Sequence, residues 1–279
     1  MKLNKFLQAA LLSTGLAALS TGASAAYVGL DGWQLSTPTT TVGDPGIGRL
    51  NLVSGSYTLE QQVNGSGNAF VGAKFTQTGM VYSVTYTPEN TAGAGDTGAP
   101  APLGDVLTLS FSNLVGHVTE LVGAGFGYTY DSGAFTLSGV GGTYFTGSVM
   151  GGGGTSSQTG VIGGFNGSST LLVDVLTMMA SSSFDIRDDT GASLRSDLLA
   201  GDVLLEVVSR YNLTNPIGGP GACSFDATAI CQRLNVAHAG DASLVREEAR
   251  NEVPEPGSLA LLGLGVLGAG LARRRTAAK

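Results

Sequence analysis

Val81-Tyr82-Ser83-Val84-Thr85-Tyr86-Thr87 decides the fold class. Hydroxyl residues alternate there with β-branched and aromatic ones. Alternation with period two places successive side chains on opposite faces of a strand, one to bury and one to wet. β-branched and aromatic side chains suit such a half-buried pleated surface. The pattern recurs at residues 56–63 (SYTLEQQV), 106–111 (VLTLSF), 126–130 (FGYTY), 134–138 (AFTLS), 143–149 (TYFTGSV) and 203–211 (VLLEVVSRY). Asp131-Ser132-Gly133, between two of these runs, reads as a tight hairpin connection. Gly and Ser/Thr clusters punctuate the chain about every ten residues, which favours a sandwich or barrel. The expected fold is all-β: a Gly-rich antiparallel β-sandwich or jelly-roll-like domain. Residues 171–180 (LLVDVLTMMA) read as a buried strand. Residues 243–251 (SLVREEARN) read as a short helix or a solvated linker. Residues 88–102, 151–160 (GGGGTSSQTG) and 215–221 (NPIGGPG) read as loops.

Composition narrows the function classes. The chain has 279 residues with 44 glycines, and only 13% are charged. There is no G-X-Y period, so a collagen helix is excluded. The formal charge is −7 with 14 basic residues, a poor balance for neutralising phosphates, so no nucleic-acid partner is expected. Residues 26–252 hold 8 basic and 20 acidic residues, a net of −12.

The two ends carry address signals. Lys2 and Lys5 give a positive start, residues 6–19 are a mostly apolar run of 14, and Ala23-Ser24-Ala25 fits the small-x-small cleavage pattern. This is a signal peptide, expected as a helix over 1–25, with Ala23 and Ala25 read by signal peptidase. At the other end, Pro254-Glu255-Pro256 precedes a Gly-rich apolar stretch at 259–272 and the cluster Arg273, Arg274 and Arg275. Fourteen residues span roughly 21 Å as a helix, a short transmembrane segment against a hydrocarbon core of about 30 Å. The arginines are placed in the cytoplasm and the preceding residues outside. Gly263, Gly265 and Gly268 match a dinucleotide fingerprint formally, but no strand–helix–strand unit can follow them, and small-residue helix packing explains them better.

This three-part tail resembles the PEP-CTERM sorting signal. The resemblance implies an exosortase as partner and transient residence in the inner membrane of a Gram-negative bacterium. Delivery to the outer surface or extracellular matrix follows. The N-terminal stretch and Ala73-Lys74-Phe75, followed by a Gly-separated strand, are similar to flocculation-associated members of that group. That likeness implies a structural or adhesive role in biofilm or floc formation with exopolysaccharide. The alternative is an extracellular polysaccharide-binding module or glycan hydrolase with the same tail. The expected segments are a signal peptide at 1–25, a β-rich exported domain at 26–242, a linker at 243–252 and the sorting signal at 253–279.

No catalytic motif is visible in the sequence, and no enzyme, cofactor or metal site is expected. Cys223 and Cys231 are the only cysteines, and export makes a disulfide the expected state. His117 and His238 are the only histidines, in strand or loop context without H-E-x-x-H or G-x-S-x-G. A glycosidase needs only two carboxylates, which composition cannot rule out. Trp33, the single tryptophan, is few for a sugar-processing cleft. Asp185 to Gly191 (DIRDDTG) is the densest acidic turn, but it lacks the calcium-loop spacing and Arg187 interrupts it.

Overall fold

A computed structural model describes residues 27–89, 100–158 and 165–247. The expected signal helix and transmembrane helix lie outside these residues, as do Ala23, Ala25, Pro254 to Pro256 and Arg273 to Arg275. Of the described residues, 69% are strand and 3% helix, so the class is all-β. The strands are β1 (Tyr27–Gly29), β2 (Trp33–Ser36), β3 (Thr41–Gln62), β4 (Lys74–Thr78), β5 (Met80–Pro88), β6 (Leu107–Val122) and β7 (Gly125–Gly139). They continue as β8 (Gly142–Gln158), β9 (Phe165–Met178), β10 (Asp185–Arg187), β11 (Val203–Pro216), β12 (Gly221–Ala222) and β13 (Ile230–Glu247). One short helix, α1 (Arg195–Ala200), precedes β11.

All thirteen strands belong to one antiparallel sheet. Each of β6 to β9 pairs with its predecessor, β9 pairs with β11, and β11 with β13. The last strand then pairs back onto the first long one, from Cys231 opposite Gln62 to Ala242 opposite Leu50. Gly79, at φ +75°, breaks one wall strand into β4 and β5, which both bridge β3 and β6. Counted that way, the wall is an up-and-down ring of eight strands closed on itself.

The expected sandwich or jelly roll is therefore corrected to a closed barrel. Alternation with period two cannot separate the inner faces of two packed sheets from the inner face of one curled sheet. Strand length is what separates them here. β3 has 22 residues and β13 has 18, against a usual five or six. Long strands coil, and closure pairs edges that would otherwise lie open.

Three local expectations change with it. Asp131-Ser132-Gly133 is not a hairpin but an irregularity within β7, where the register against β6 slips around Val115. The turn between β6 and β7 sits instead at Gly123 (φ +57°) and Ala124. The glycine run at 151–154 is strand, not loop, paired to β7 and β9. Ser243 to Glu247 complete β13, so the first half of the expected linker is barrel wall.

The glycines in these strands face rings. Phe75 lies directly opposite Gly116, Phe135 opposite Gly147, Tyr128 opposite Gly154, Tyr211 opposite Gly167, and His238 opposite Gly55. A Cβ on Gly116 would sit 2.4 Å from Phe75, one on Gly147 2.2 Å from Phe135, and one on Gly167 2.2 Å from Tyr211. One residue of each cross-strand pair gives up its side chain so that the partner's ring can lie across it. Barrel interiors taper, and small residues alternating with large ones fill them. Phe75, Tyr128 and Tyr130 meet edge to face at 5.5–5.6 Å, a favoured aromatic geometry.

One end of the barrel is capped. Trp33 and Leu35 from β2, Phe184 and Ile186 around β10, and Leu194 and Leu198 around α1 are all buried in the same apolar cluster as the barrel interior. The ring of Phe184 stacks on Tyr144 at 4.8 Å. Buried Asp105 accepts hydrogen bonds from the Tyr144 hydroxyl and from the Val140 N–H at 3.0 Å, tying the approach to β6 to the β7–β8 turn. Burial acts to raise the Asp105 pKa, but these donors outweigh it and the net shift is downward. Tyr27 pairs with Glu247, so the described domain begins and ends side by side.

Candidate functional site: the uncapped mouth

The opposite end carries a cavity of about 510 Å³, within the usual range for small-ligand sites. Five parts of the sequence build it: Gln61 and Val63 at the end of β3, residues 67–69 of the following loop, the β6–β7 turn with Leu121 and Phe126, Pro216 at the end of β11, and Gln232 and Leu234 of β13. Val63, Phe126 and Leu234 are buried, whereas Leu121 is 54% exposed at the rim. No Asp, Glu, Lys or Arg lines the cavity among the described residues.

Below the mouth the barrel is nearly full. Gln61 and Phe126 line both the mouth and a deeper space among Tyr57, Phe75, Tyr128 and Tyr211, whose cavity is only about 20 Å³. That is room for about one water. The polar groups in this floor are incompletely paired. Gln77 donates to the Tyr130 hydroxyl at 3.1 Å, but its Oε1 and the Nε2 of Gln61 have no partner among the described residues. Tyr211 donates to the Thr155 carbonyl at 3.2 Å, and burial pushes its pKa up to about 12. The floor tyrosines are neutral donors at any ordinary pH.

The rim is tied down on one side. Cys223 and Cys231 form a disulfide, with Cα atoms 4.9 Å apart, and Cys231 stands opposite Gln62 at the end of β3. Glu60 accepts hydrogen bonds from the Ser224 N–H at 3.0 Å, the Ser224 hydroxyl, and Arg233 Nε and Nη2 at 3.2 and 3.1 Å. Burial acts to raise the Glu60 pKa, but Ser224 and Arg233 outweigh it and hold the carboxylate low. Replacing both cysteines by serine is expected to cost about 2–3 kcal/mol from loop entropy. Urea denaturation of the oxidised protein and the double variant measures it.

The remaining residues singled out from sequence are dispersed. His238 is buried inside the barrel wall, its ring 4.1 Å from that of Tyr82 and 5.0 Å from Tyr57. His117 is on the outer surface, bonded to Asp131 at 2.9 and 3.0 Å. No acyl-transfer constellation joins them. In the acidic turn, the Asp188 carboxylate accepts from the Thr190 hydroxyl and from the Thr190 and Ala192 N–H groups, which holds its pKa down. Asp185 is occupied by Arg187 and Ser193. Among the described residues no three His, Cys, Asp or Glu side chains group to hold a metal. Trp33 belongs to the cap, far in the sequence pairing from the mouth strands' ends, and offers no ring there. Sequence reading missed Gln61, Leu121, Phe126 and Gln232. Gln61 and Phe126 lie in period-two runs read from sequence, whereas no run was read at Leu121 or Gln232, and no local signal shows which strand ends converge when a sheet closes.

The class this defines is a closed antiparallel barrel with one capped end and, at the other, a mouth with no charged side chain among its described lining residues. The sorting tail adds the second identification. Residues 252–275 match the PEP-CTERM protein-sorting motif, the C-terminal sorting signal of exosortase substrates. The chain is thus an exosortase-sorted exported protein, anchored transiently in the membrane before release at the surface. No curated protein and no solved structure matches the chain.

Proposed function

We propose that the barrel is a non-catalytic surface or matrix protein that holds neutral exopolysaccharide in its mouth, with a structural or adhesive role in biofilm or floc formation. The producing cell is a Gram-negative bacterium, and signal peptidase cuts after Ala25. The observation that carries the reading is the lining of the mouth. Phe126, Leu234 and Val63 offer apolar contact to the ring face of a sugar, and the amides of Gln61, Asn68 and Gln232 offer hydrogen bonds to its hydroxyls. Such a mix suits a polar molecule with apolar faces. The net charge of −12 on residues 26–252 disfavours polyanions and leaves neutral glycans as the matching matrix component.

The hydrolase alternative is weaker at this site. Glycoside hydrolysis needs an acid and a second carboxylate flanking the bond, and the described lining supplies neither. Three experiments test the proposal. Mature protein is expected to co-sediment with the neutral polysaccharide fraction of the producing culture. Leu121→Asp puts a charge at the exposed rim without touching the core and is expected to weaken binding about tenfold, equivalent to about 1.4 kcal/mol. Unchanged aggregation and matrix retention in a deletion strain would oppose the adhesive role.

A further inference from the structure

We infer that the barrel interior below the mouth is a binding site for one water molecule, held between Gln61 and Gln77; this does not depend on the glycan reading above. Gln61 stands opposite Phe75 and Gln77 opposite Leu59, so the two glutamines are diagonal neighbours on one face of the β3–β4 pair. Long side chains in that relation lie within reach of each other. They are only 5% and 4% exposed, and both line the deeper cavity of about 20 Å³ together with Ser156. Their free atoms are complementary. Gln77 Nε2 is spent on the Tyr130 hydroxyl, which leaves Gln77 Oε1 as a buried acceptor without a partner. Gln61 Nε2 is a buried donor without a partner, so the two amides do not bond each other. Buried polar atoms in native proteins are nearly always paired, with protein or with ordered water. Water is the occupant that the chemistry selects. It accepts from Gln61 and donates to Gln77 at once, and the Ser156 hydroxyl supplies a third partner, within the usual two to four. The volume admits about one such molecule. No Asp, Glu, Lys or Arg among the described residues lines this space, so nothing there balances the charge of an ion. Gln61 also borders the mouth. The water therefore fixes, in advance, the orientation of an amide that an occupant of the mouth meets.

The test is a crystal structure of the mature protein at a resolution that shows ordered water, beside one of Gln61→Met, which keeps the side-chain length and removes the donor. The expected result is one density peak within hydrogen-bond distance of both Gln61 Nε2 and Gln77 Oε1, and its loss in the variant. A second measurement needs no variant. In water–protein nuclear Overhauser spectra of the unaltered protein, the side-chain amide protons of Gln61 are expected to show cross-peaks of the sign that marks a long-lived water. A direct Gln61–Gln77 hydrogen bond, no peak between the two amides, a peak unmoved by Gln61→Met, or cross-peaks of the surface-hydration sign would each overturn the inference.

Discussion

Gly147→Ala is expected to destabilise the barrel severely, while Gly151→Ala, four residues along the same strand, is expected to change stability by no more than about 0.5 kcal/mol. A Cβ at Gly147 would lie 1.9 Å from the Asp174 carbonyl oxygen and 2.2 Å from Phe135, whereas one at Gly151 would meet nothing within 4 Å. The Asp174 oxygen belongs to the paired backbone of β9, so neither strand can yield without breaking the ladder. Overpacking of that kind costs about 1–3 kcal/mol where neighbours can shift, and the upper end applies where a backbone atom is struck. Phe135→Ala, which empties the other half of the pair, is expected to cost about 3–5 kcal/mol. At about 2–4 °C per kcal/mol for a domain of this size, its melting temperature falls by roughly 6–20 °C. Thermal and urea unfolding of the three variants decide the matter. Equal effects at Gly147 and Gly151 would mean that the glycines serve flexibility and not ring packing.

The second large effect is acid destabilisation through His238. The residue is 3% exposed, and neither ring nitrogen has a hydrogen-bond partner among the described residues. Its ring lies against Tyr82, Tyr57 and the backbone at Gly55, with no carboxylate in contact to stabilise a charge. Burial lowers its pKa from 6.5 to about 4. The sign follows from which state binds the proton first. Above pH 6.5 both states are neutral and the contribution is fully present. Between 6.5 and about 4 the unfolded chain is protonated and the folded one is not, so stability falls. Below about 4 both are protonated and this group contributes no further loss. The total is about 3 kcal/mol at about 1.4 per pKa unit. Glu60 and Asp105, with lowered pKa values, add losses at lower pH, as it falls through the carboxylate range. His238→Phe is expected to flatten the upper window and leave the lower one unchanged. Denaturation midpoints from pH 7 to 3 for both proteins check this. An identical slope between 6.5 and 4 in the variant would rule the mechanism out.

Much of the wall was legible in the sequence. The alternation at 81–87 falls in β5, that at 106–111 falls in β6 from Leu107 on, and residues 171–178 fall in β9. Closure was not legible, because it depends on Leu50 to Gln62 pairing with a segment some 180 residues away. The glycine run at 151–154 misled for a related reason. Glycine has low strand propensity taken alone, but opposite Tyr128 the absence of a Cβ at Gly154 is what lets the ring fit. A residue's neighbour across the sheet set its state, and that neighbour is invisible to a local window. The charged segment at 243–247 failed likewise: its helix formers are held in β13 by ladders to β1 and β11. The export signals needed no fold, since their order along the chain carries the address. The mouth was illegible because its residues come from five separated parts of the chain.

The most direct measurement is an NMR titration of the mature protein with neutral oligosaccharides cut from the culture's exopolysaccharide. The expected result is saturable shifts at the side-chain amides of Gln61, Asn68 and Gln232 and at the methyls of Leu121 and Leu234, with the outer-surface His117 unmoved. Shifts confined to the outer wall, or none at any concentration, would contradict a glycan site in the mouth.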